Sequence, residues 1–319
     1  MAQELVIGID IGGQTTKCGV VDARGTVLAQ TVIRSDTHTA VEPYVAELAE
    51  ALNHIIAEAK AEGNIRGIGV GAPNGNYYTG NIENAVNLTW GGTRVIEFAK
   101  LLTKAMKGIP VSLTNDANAA AMGEMTYGAA RGMKNFIMIT LGTGVGSGIV
   151  IDGKMVYGHD GFAGELGHTC AVRHNGRVCN CGKTGCLETY CSAIGMARTA
   201  REWLEMSDEP SLLRSLDKIT SKDIYDAAKE GDKMALKLFD FTGRMLGEKL
   251  ADFIEFSAPE AIVLFGGLAR SKEFLTEPIV KAMNENVLPL WRGKVKLVYS
   301  QLKESDAAIL GASALAWEL

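Results

Sequence analysis

The sequence predicts a two-domain α/β protein with duplicated βββαβα halves. Three observations carry this expectation. Short apolar runs bounded by glycine alternate with longer segments whose apolar residues recur at spacings of three and four. A unit of strand, glycine turn, second strand and Asp occurs twice, as IGIDIGGQTTKCGVVD at 7–22 and as MITLGTGVGSGIVIDG at 138–153. A repeat that long points to a duplicated domain, because solenoid periods are shorter. The chain has 319 residues, which makes about two domains at roughly 100–200 residues each.

The elements follow in order. Leu5–Ile11 is a short apolar strand, and Thr16–Val21 follows after Gly12 and Gly13. Gly25 turns the chain into a third strand, Val27–Ile33. Val45, Leu48, Leu52, Ile55, Ile56 and Ala59 then trace one helical face, with Pro43 near its start and Gly63 at its end. Ile65–Ala72 is a strand that ends in Pro73-Asn74-Gly75. A helix over 93–107 and a short strand Val111–Leu113 close the first half. The second half opens with strand Phe136–Leu141, a glycine loop over 142–148 and strand Ile149–Ile151, turned by Asp152-Gly153. An irregular segment rich in Gly, Cys and His covers 158–192, and helices follow at 193–206, 221–229 and 233–256. Strand Ala261–Phe265 ends at Gly266-Gly267, and a helix, strand Val295–Tyr299 and a closing helix from 306 complete the chain. No low-complexity linker marks a boundary. We expect domains at 1–115 and 116–305, with the closing helix (306–319) packing back on the first.

Hydrophobic residues make up 47% of the chain and charged residues 22%, which excludes intrinsic disorder. Thirty-two basic and thirty-seven acidic side chains give a formal charge of −5, and no lysine or arginine block stands out. Nucleic acid is therefore not an expected partner. No apolar run reaches the roughly 18 residues that a membrane span needs. The opening MAQELVIGIDIGG carries an acidic residue where a leader peptide is basic, and its apolar run is broken by Asp10, so it reads as a folded strand. These features predict a cytoplasmic protein with no membrane partner.

Four motifs carry chemistry. Glycine turns at Gly12-Gly13, Gly142–Gly148 and Gly266-Gly267 each follow an apolar strand, and ligands of α/β folds collect at such strand ends. Taken singly, each is also an ordinary tight turn. Glycine lets a backbone approach a phosphate closely. Neither common nucleotide loop fits: Gly-x-Gly-x-x-Gly is absent after the first strand, and a P-loop ending at Gly182-Lys183-Thr184 would need glycine where Arg177 stands. Asp10 lies at the end of an apolar strand beside Gly12-Gly13. It either caps a hairpin or faces phosphates through Mg²⁺, since bare carboxylate and phosphate repel. Asn115-Asp116 stands between a strand and an alanine-rich helix. One reading is a helix N-cap; the other is a general base for a sugar hydroxyl, a poor nucleophile until its proton is accepted.

The fourth motif is the most specific. Glu165-Leu166-Gly167-His168 is followed by Cys179-Asn180-Cys181-Gly182-Lys183-Thr184-Gly185-Cys186-Leu187-Glu188. His168, Cys179, Cys181 and Cys186 make a Cys₃His set suited to a closed tetrahedral, structural Zn²⁺ site in a segment spanning 165–188. Free buried cysteines or a catalytic thiol are the other readings. Cys18, Cys170 and Cys191 read as packing residues.

Together these motifs resemble the ROK family of sugar kinases and related repressors, built on the two-domain actin-like ATPase (ribonuclease H-like) fold. The resemblance rests on Asp10-Ile11-Gly12-Gly13, Asn115 to Ala120, Leu141 to Gly146, Glu165 to His168, Cys179 to Glu188 and Phe265-Gly266-Gly267, and it spans nearly the whole chain. It implies an ATP- and Mg²⁺-dependent hexose kinase, with glucose the leading substrate and N-acetylmannosamine, fructose or allose the alternatives. Asp116 is then the base, and Asn115, Glu165, His168 and Glu188 hold sugar hydroxyls, joined by Gly75, Asn76 and Asn87 from the sugar loop. His168 would turn one ring nitrogen to zinc and the other to the sugar. Asp10, Gly12, Gly13, Thr15, Thr16, Lys17, Gly142, Thr143 and Gly144 fall to the phosphates and Mg²⁺, and Gly266-Gly267 to the adenosine side. Domain closure on the sugar would exclude water. The resemblance also implies a homodimer, for which the 233–256 helix has apolar residues to spare. Two positions depart from the family: Gln14 stands where Thr is usual, and Asn74 stands where Gly follows the sugar-loop proline. A sugar-responsive repressor of the same family would need a DNA-binding extension ahead of the first strand. A zinc-braced scaffold without activity would have no use for Asp10 and Asp116 beside phosphate-type turns.

Overall fold

The structure is a computed structural model and describes residues 4–61 and 64–319. Gly63, expected to end the first helix, lies outside the described residues. In chain order the elements are β1 (Leu5–Ile11), β2 (Thr15–Asp22), β3 (Val27–Arg34), α1 (Val41–Glu58), β4 (Ile65–Gly71), β5 (Gly75–Asn76), β6 (Asn81–Glu83), β7 (Val95–Ile96), α2 (Phe98–Ala105), β8 (Val111–Thr114) and α3 (Asp116–Tyr127). The chain continues with β9 (Phe136–Leu141), β10 (Val145–Ile151), β11 (Lys154–Met155), α4 (Glu188–Cys191), α5 (Ala193–Met206), α6 (Ser221–Lys229), α7 (Lys233–Ser257), β12 (Ala261–Phe265), α8 (Lys272–Asn286), β13 (Lys296–Tyr299) and α9 (Glu304–Ala316).

The chain forms two compact units. One comprises residues up to Met133, Met155–Gly164 and Gln301–Leu319; the other comprises Lys134–Lys154 and Glu165–Ser300. Each is built on a mixed five-stranded sheet. The orders are β3-β2-β1-β4-β8 and β11-β10-β9-β12-β13. In the first, β1 runs antiparallel to β2 and parallel to β4, which is parallel to β8. In the second, β9 runs antiparallel to β10 and parallel to β12, which is parallel to β13. The sequence repeat is thus a repeat of topology.

In the first unit, β1 is buried on both faces, which is why it reads as a continuous apolar run and not an alternating one. One face packs on α1, where Tyr44, Leu48, Leu52 and Ile55 join Ile7, Ile9 and Ile11 in a single core. Tyr44, Trp90 and Phe98 stack within it, with ring centroids 4.6 and 5.9 Å apart. The other face receives α9. Alternate residues of β4 are the glycines 67, 69 and 71, and a side chain at Gly69 would stand 1.9 Å from the backbone oxygen of Ala312. Removing side chains from that face brings the helix backbone against the sheet.

Three expectations need correction. The domain boundary near 115 lies instead at Met133, because α3 packs against α9 and β4 of the first unit; Gly123 approaches the Gly311 backbone so closely that a side chain would stand 2.7 Å from it. The helix expected over 93–107 is shorter, since Val95–Ile96 pairs with β6 in a small three-stranded sheet. The glycine loop over 142–148 is also shorter: Gly146 and Gly148 sit inside β10, opposite Thr140 and Met138, so only residues 142–144 turn. Among the described residues, no helix is long and apolar enough to cross a membrane.

Candidate active site

In the first unit, four strand ends converge on two carboxylates. Asp10 near the end of β1 stands opposite Lys17 of β2 on one side and Gly71 of β4 on the other. Gly71 in turn pairs with Thr114 of β8, two residues before Asp116. Burial, then the nearby charge of Asp116, pushes the Asp10 carboxyl up to about 6, with Lys17 opposing. Asn115 takes the cap of α3, its Oδ1 accepting the Asn118 N–H at 2.7 Å. Asp116 is therefore the first residue of the helix and not its cap. Water reaches its side chain. Its carboxyl is nevertheless raised by the protein crowded around it, while the Ala117 N–H, 2.9 Å from Oδ1, pulls the other way.

The glycine turn beside Asp10 is held from behind. The Gly12 N–H donates to Thr15 O at 2.9 Å, and the Ser35 N–H donates to Gln14 O at 2.9 Å. A side chain on Gly13 would stand 3.0 Å from the backbone oxygen of Asn87, so these two residues are brought together. Asn87 and Thr15 are exposed, and Lys17 is half-buried. Thr16 is a correction. A strand alternates its side chains, and Thr16 falls on the inner side, fully buried, with its hydroxyl 2.6 Å from Tyr44 Oη and 2.8 Å from Ser35 Oγ. It braces the turn and cannot offer its hydroxyl to a phosphate.

The sugar loop holds a second correction. Asn76 is buried, and its Nδ2 donates to Asp160 O at 2.8 Å while its Oδ1 accepts the Tyr78 N–H at 3.1 Å. Its amide is committed to tying the loop to the 155–164 strap, where Tyr157 also stacks on Tyr77 at 3.9 Å. Gly75 packs against the Thr114 backbone, where a side chain would stand 2.4 Å from the oxygen. It shapes the loop by close approach. Asn74 adopts a left-handed backbone (φ 51°), which Asn tolerates better than other residues with a side chain. That accounts for Asn in place of the family's Gly.

The second unit holds the other residues. Gly142 N–H donates to Gly144 O at 3.0 Å, closing a turn that leaves Thr143 exposed. Glu188 lies over this turn: its Oε2 accepts the Val145 N–H at 3.0 Å, and a side chain on Gly144 would stand 2.4 Å from that oxygen. Its Oε1 lies 3.8 Å from Cys179 Sγ, which ties the glycine turn to the cysteine cluster. Gly266 (φ 103°) ends β12 against Leu141 O, and Gly267 faces open space.

One ligand atom each from His168, Cys179, Cys181 and Cys186 falls within 4.8 Å of the others. Cys179 Sγ is 3.7 Å from His168 Nδ1, and Cys181 Sγ is 3.6 Å from Cys186 Sγ. Tetrahedral Zn²⁺ with Zn–S near 2.3 Å needs ligand atoms about 3.5–4 Å apart, so this soft, compact donor set fits the ion. His168 turns Nδ1 to the thiols and Nε2 toward Glu165, 4.0 Å from its carboxylate. The segment is less irregular than expected. Val178 bridges Thr184 and Cys170 bridges Cys186, forming a small knuckle turned by Gly182 and Gly185 at φ 87° and 78°.

Sequence reasoning missed two residues. Arg177 is a half-buried anchor for the knuckle: it donates to Thr189 O at 2.7 Å and Thr199 Oγ1 at 2.9 Å, pairs with Glu202, and lies 4.5 Å over the Tyr190 ring. Its only visible signal was a second arginine, after Arg173, between Cys170 and Cys179. Gly71 sits between the two carboxylates, signalled only as a glycine ending a strand.

The sequence pattern of the ROK family matches residues 6–318. A glucokinase of Halalkalibacterium halodurans is 36% identical, over 98% of this chain and 94% of that protein. The crystal structure of a ROK family glucokinase from Streptomyces griseus in complex with glucose and AMPPNP superposes with a TM-score of 0.78 at 33% identity, covering 99% of this chain and 100% of that one. The ROK hexokinase from Thermus thermophilus superposes with a TM-score of 0.81 at 28% identity, covering 98% of both chains.

Proposed function

The chain belongs to the ROK family, and on that premise we propose that it transfers the γ-phosphoryl group of ATP to the 6-hydroxyl of a hexose, glucose foremost. Its mixed sheets are those of the actin-like ATPase fold. The observation that carries the reading is Asp116: a solvent-reached carboxylate at the first position of α3, released from capping by Asn115. In the transfer, Asp116 accepts the proton of the 6-hydroxyl. The sugar oxygen forms its bond to the γ-phosphorus, and the bond from that phosphorus to the ADP oxygen breaks.

Asn115 uses Oδ1 on the helix, which leaves its NH₂ for a sugar hydroxyl. Glu165, the Nε2 side of His168 and Glu188 are the hydroxyl partners from the second unit. Backbone N–H groups near Gly13 and Thr143, with the Thr15 and Thr143 hydroxyls and Lys17, fit the phosphates, and Gly266-Gly267 fits the adenosine side. Gly12 and Gly142 close their own turns. Asp10 suits Mg²⁺, because burial and then the charge of Asp116 raise its carboxyl, and a cation relieves that cost. Bound Mg²⁺ supplies positive charge to the phosphate oxygens. His168, Cys179, Cys181 and Cys186 would hold Zn²⁺ as a closed clip that keeps Glu165 and Glu188 in place.

A site that engages most ring hydroxyls leaves a buried partner unmet when an epimer binds, at about 1–3 kcal/mol each. A coupled ADP-release assay over glucose, N-acetylmannosamine, allose and fructose tests this. The highest kcat/KM is expected for glucose. A higher value for another of these sugars removes the glucose assignment, and ADP release with none removes the kinase reading. The exposed Leu236 and Phe256 on α7 support a homodimer, and sedimentation at the monomer mass across a wide concentration range would reject it. Six free cysteines support a cytoplasmic setting.

A further inference from the structure

We propose that Gly71 is a positioning residue for phosphoryl transfer: its missing side chain sets how closely the first turn of α3, carrying Asp116, lies to Asp10. The inference rests on the reading of Asp116 as the base. Gly71 is hydrogen-bonded into the sheet between β1 and β8, opposite Asp10 on one side and Thr114 on the other. A side chain there would stand 3.1 Å from Ala119 Cβ, 3.6 Å from Asp116 Cα and 3.9 Å from Asp10 Oδ1. The backbone of Gly71 is not left-handed, so the position could accept any residue on conformational grounds. Space is what favours glycine: the contact with Ala119 is tight, while those with Asp116 and Asp10 are ordinary van der Waals distances.

The other glycines of the same face differ in what they seat. Gly67 and Gly69 lie against α9, whereas Gly71 lies against the start of α3. A methyl group at 71 forces the Ala119 side of that turn outward by a few tenths of an ångström. Of the proposed sugar ligands, Glu165 and His168 do not rest on this turn, and Asn115, which caps it, is one contact among several. Transfer geometry does, and small misplacements of a reacting group lower turnover steeply.

The test is a two-residue cycle in the full-length chain with Mg²⁺-ATP and glucose. Gly71→Ala is expected to lower kcat at least about tenfold, with the glucose Kd by calorimetry within about twofold of wild type. Ala119→Gly alone keeps kcat but lowers the melting temperature, because glycine weakens a helix interior. The double variant removes the methyl that clashes. It is expected to regain most of kcat while remaining less stable than wild type, because the helix glycine stays. Activity then returns without wild-type stability, which a merely structural role cannot produce. Should Gly71→Ala fail to fold, Ala119→Ser enlarges the same contact from the helix side and is expected to show the same loss of kcat with Kd kept. Wild-type kcat in the folded variant, or a double variant no more active than Gly71→Ala, overturns the inference. If the wild-type chain phosphorylates no sugar, or Asp116→Asn is fully active, the base reading falls and this inference with it. If both behave as expected and only Gly71→Ala is silent, the positioning role alone falls.

Discussion

Helix α3 begins at Asp116 because Asn115, one residue earlier, takes the cap. With the cap taken, Asp116 accepts the Ala117 N–H at its Oδ1, and its carboxylate keeps capacity to accept a proton. Asp116→Asn keeps size and polarity but cannot be a base. It is expected to lower kcat by roughly 10²–10⁴-fold while glucose and ATP still bind by calorimetry; near-normal turnover in the purified variant would remove the assignment. Asp10 gives a second prediction, about pH. Its carboxyl is raised from 3.8 to about 6 in the folded chain, burial first and Asp116 second. A raised acid binds more protons folded than unfolded, so stability is higher below pH 4 on this account and falls as pH rises from about 4 to 6. The loss is of order 3 kcal/mol in magnesium-free buffer. Asp116→Asn removes one cause and is expected to flatten that slope in urea titrations. An unchanged slope would show that the two carboxylates do not communicate.

At the scale of elements, the knuckle from Cys179 to Cys186 joins three functions through its backbone. Gly182 and Gly185 turn it, the thiols and His168 Nδ1 close on one point, and Glu188 follows directly to reach the Val145 N–H. Arg177 ties the same segment to α5 through Thr199 and Glu202. A change at the metal should therefore reach the sugar ligands. Metal analysis is expected to find about one zinc per chain, and Cys181→Ser to lose it. The variant's glucose Kd is expected to rise roughly ten- to a hundredfold, the equivalent of one lost hydroxyl partner. Zinc-free protein prepared without chelator, with wild-type glucose affinity, would dismiss both the ion and its bracing role.

For the whole molecule, the fold of the first unit depends on its last helix. α9 is buried along nearly its whole described length and lies on β1 and β4 where Gly8, Gly67 and Gly69 carry no side chains. A methyl on Gly69 would stand 1.9 Å from Ala312 O, so the helix must lift. Gly69→Ala is expected to destabilise by about 1–3 kcal/mol or more, in the range of overpacked cores, read as a drop in melting temperature. An unchanged melting temperature would mean that the helix is not seated as described. The same packing sets the domain boundary. α3 reads in sequence as the start of a second domain, yet its small residues meet Gly311 of α9, and contacts made between segments so far apart leave no local trace.

What the sequence determined by itself follows from local periods and from chemistry carried by residue type. β1, β9, α5, α6 and β12 fall where their spacing predicted them, because a strand or helix repeats its pattern within a few residues. The Cys₃His set was legible because few other roles need those residues at those spacings, and Asn115-Asp116 was legible as a helix start. Direction and distance were not legible. Thr16 and Asn76 have the right chemistry for a site but point inward, one to Tyr44 and the other to Asp160. Gly71 and Arg177 look ordinary until their neighbours are known. Only the tertiary structure decided these, because which face of an element is buried depends on partners tens to hundreds of residues away, and a close approach exists only once both backbones are in place.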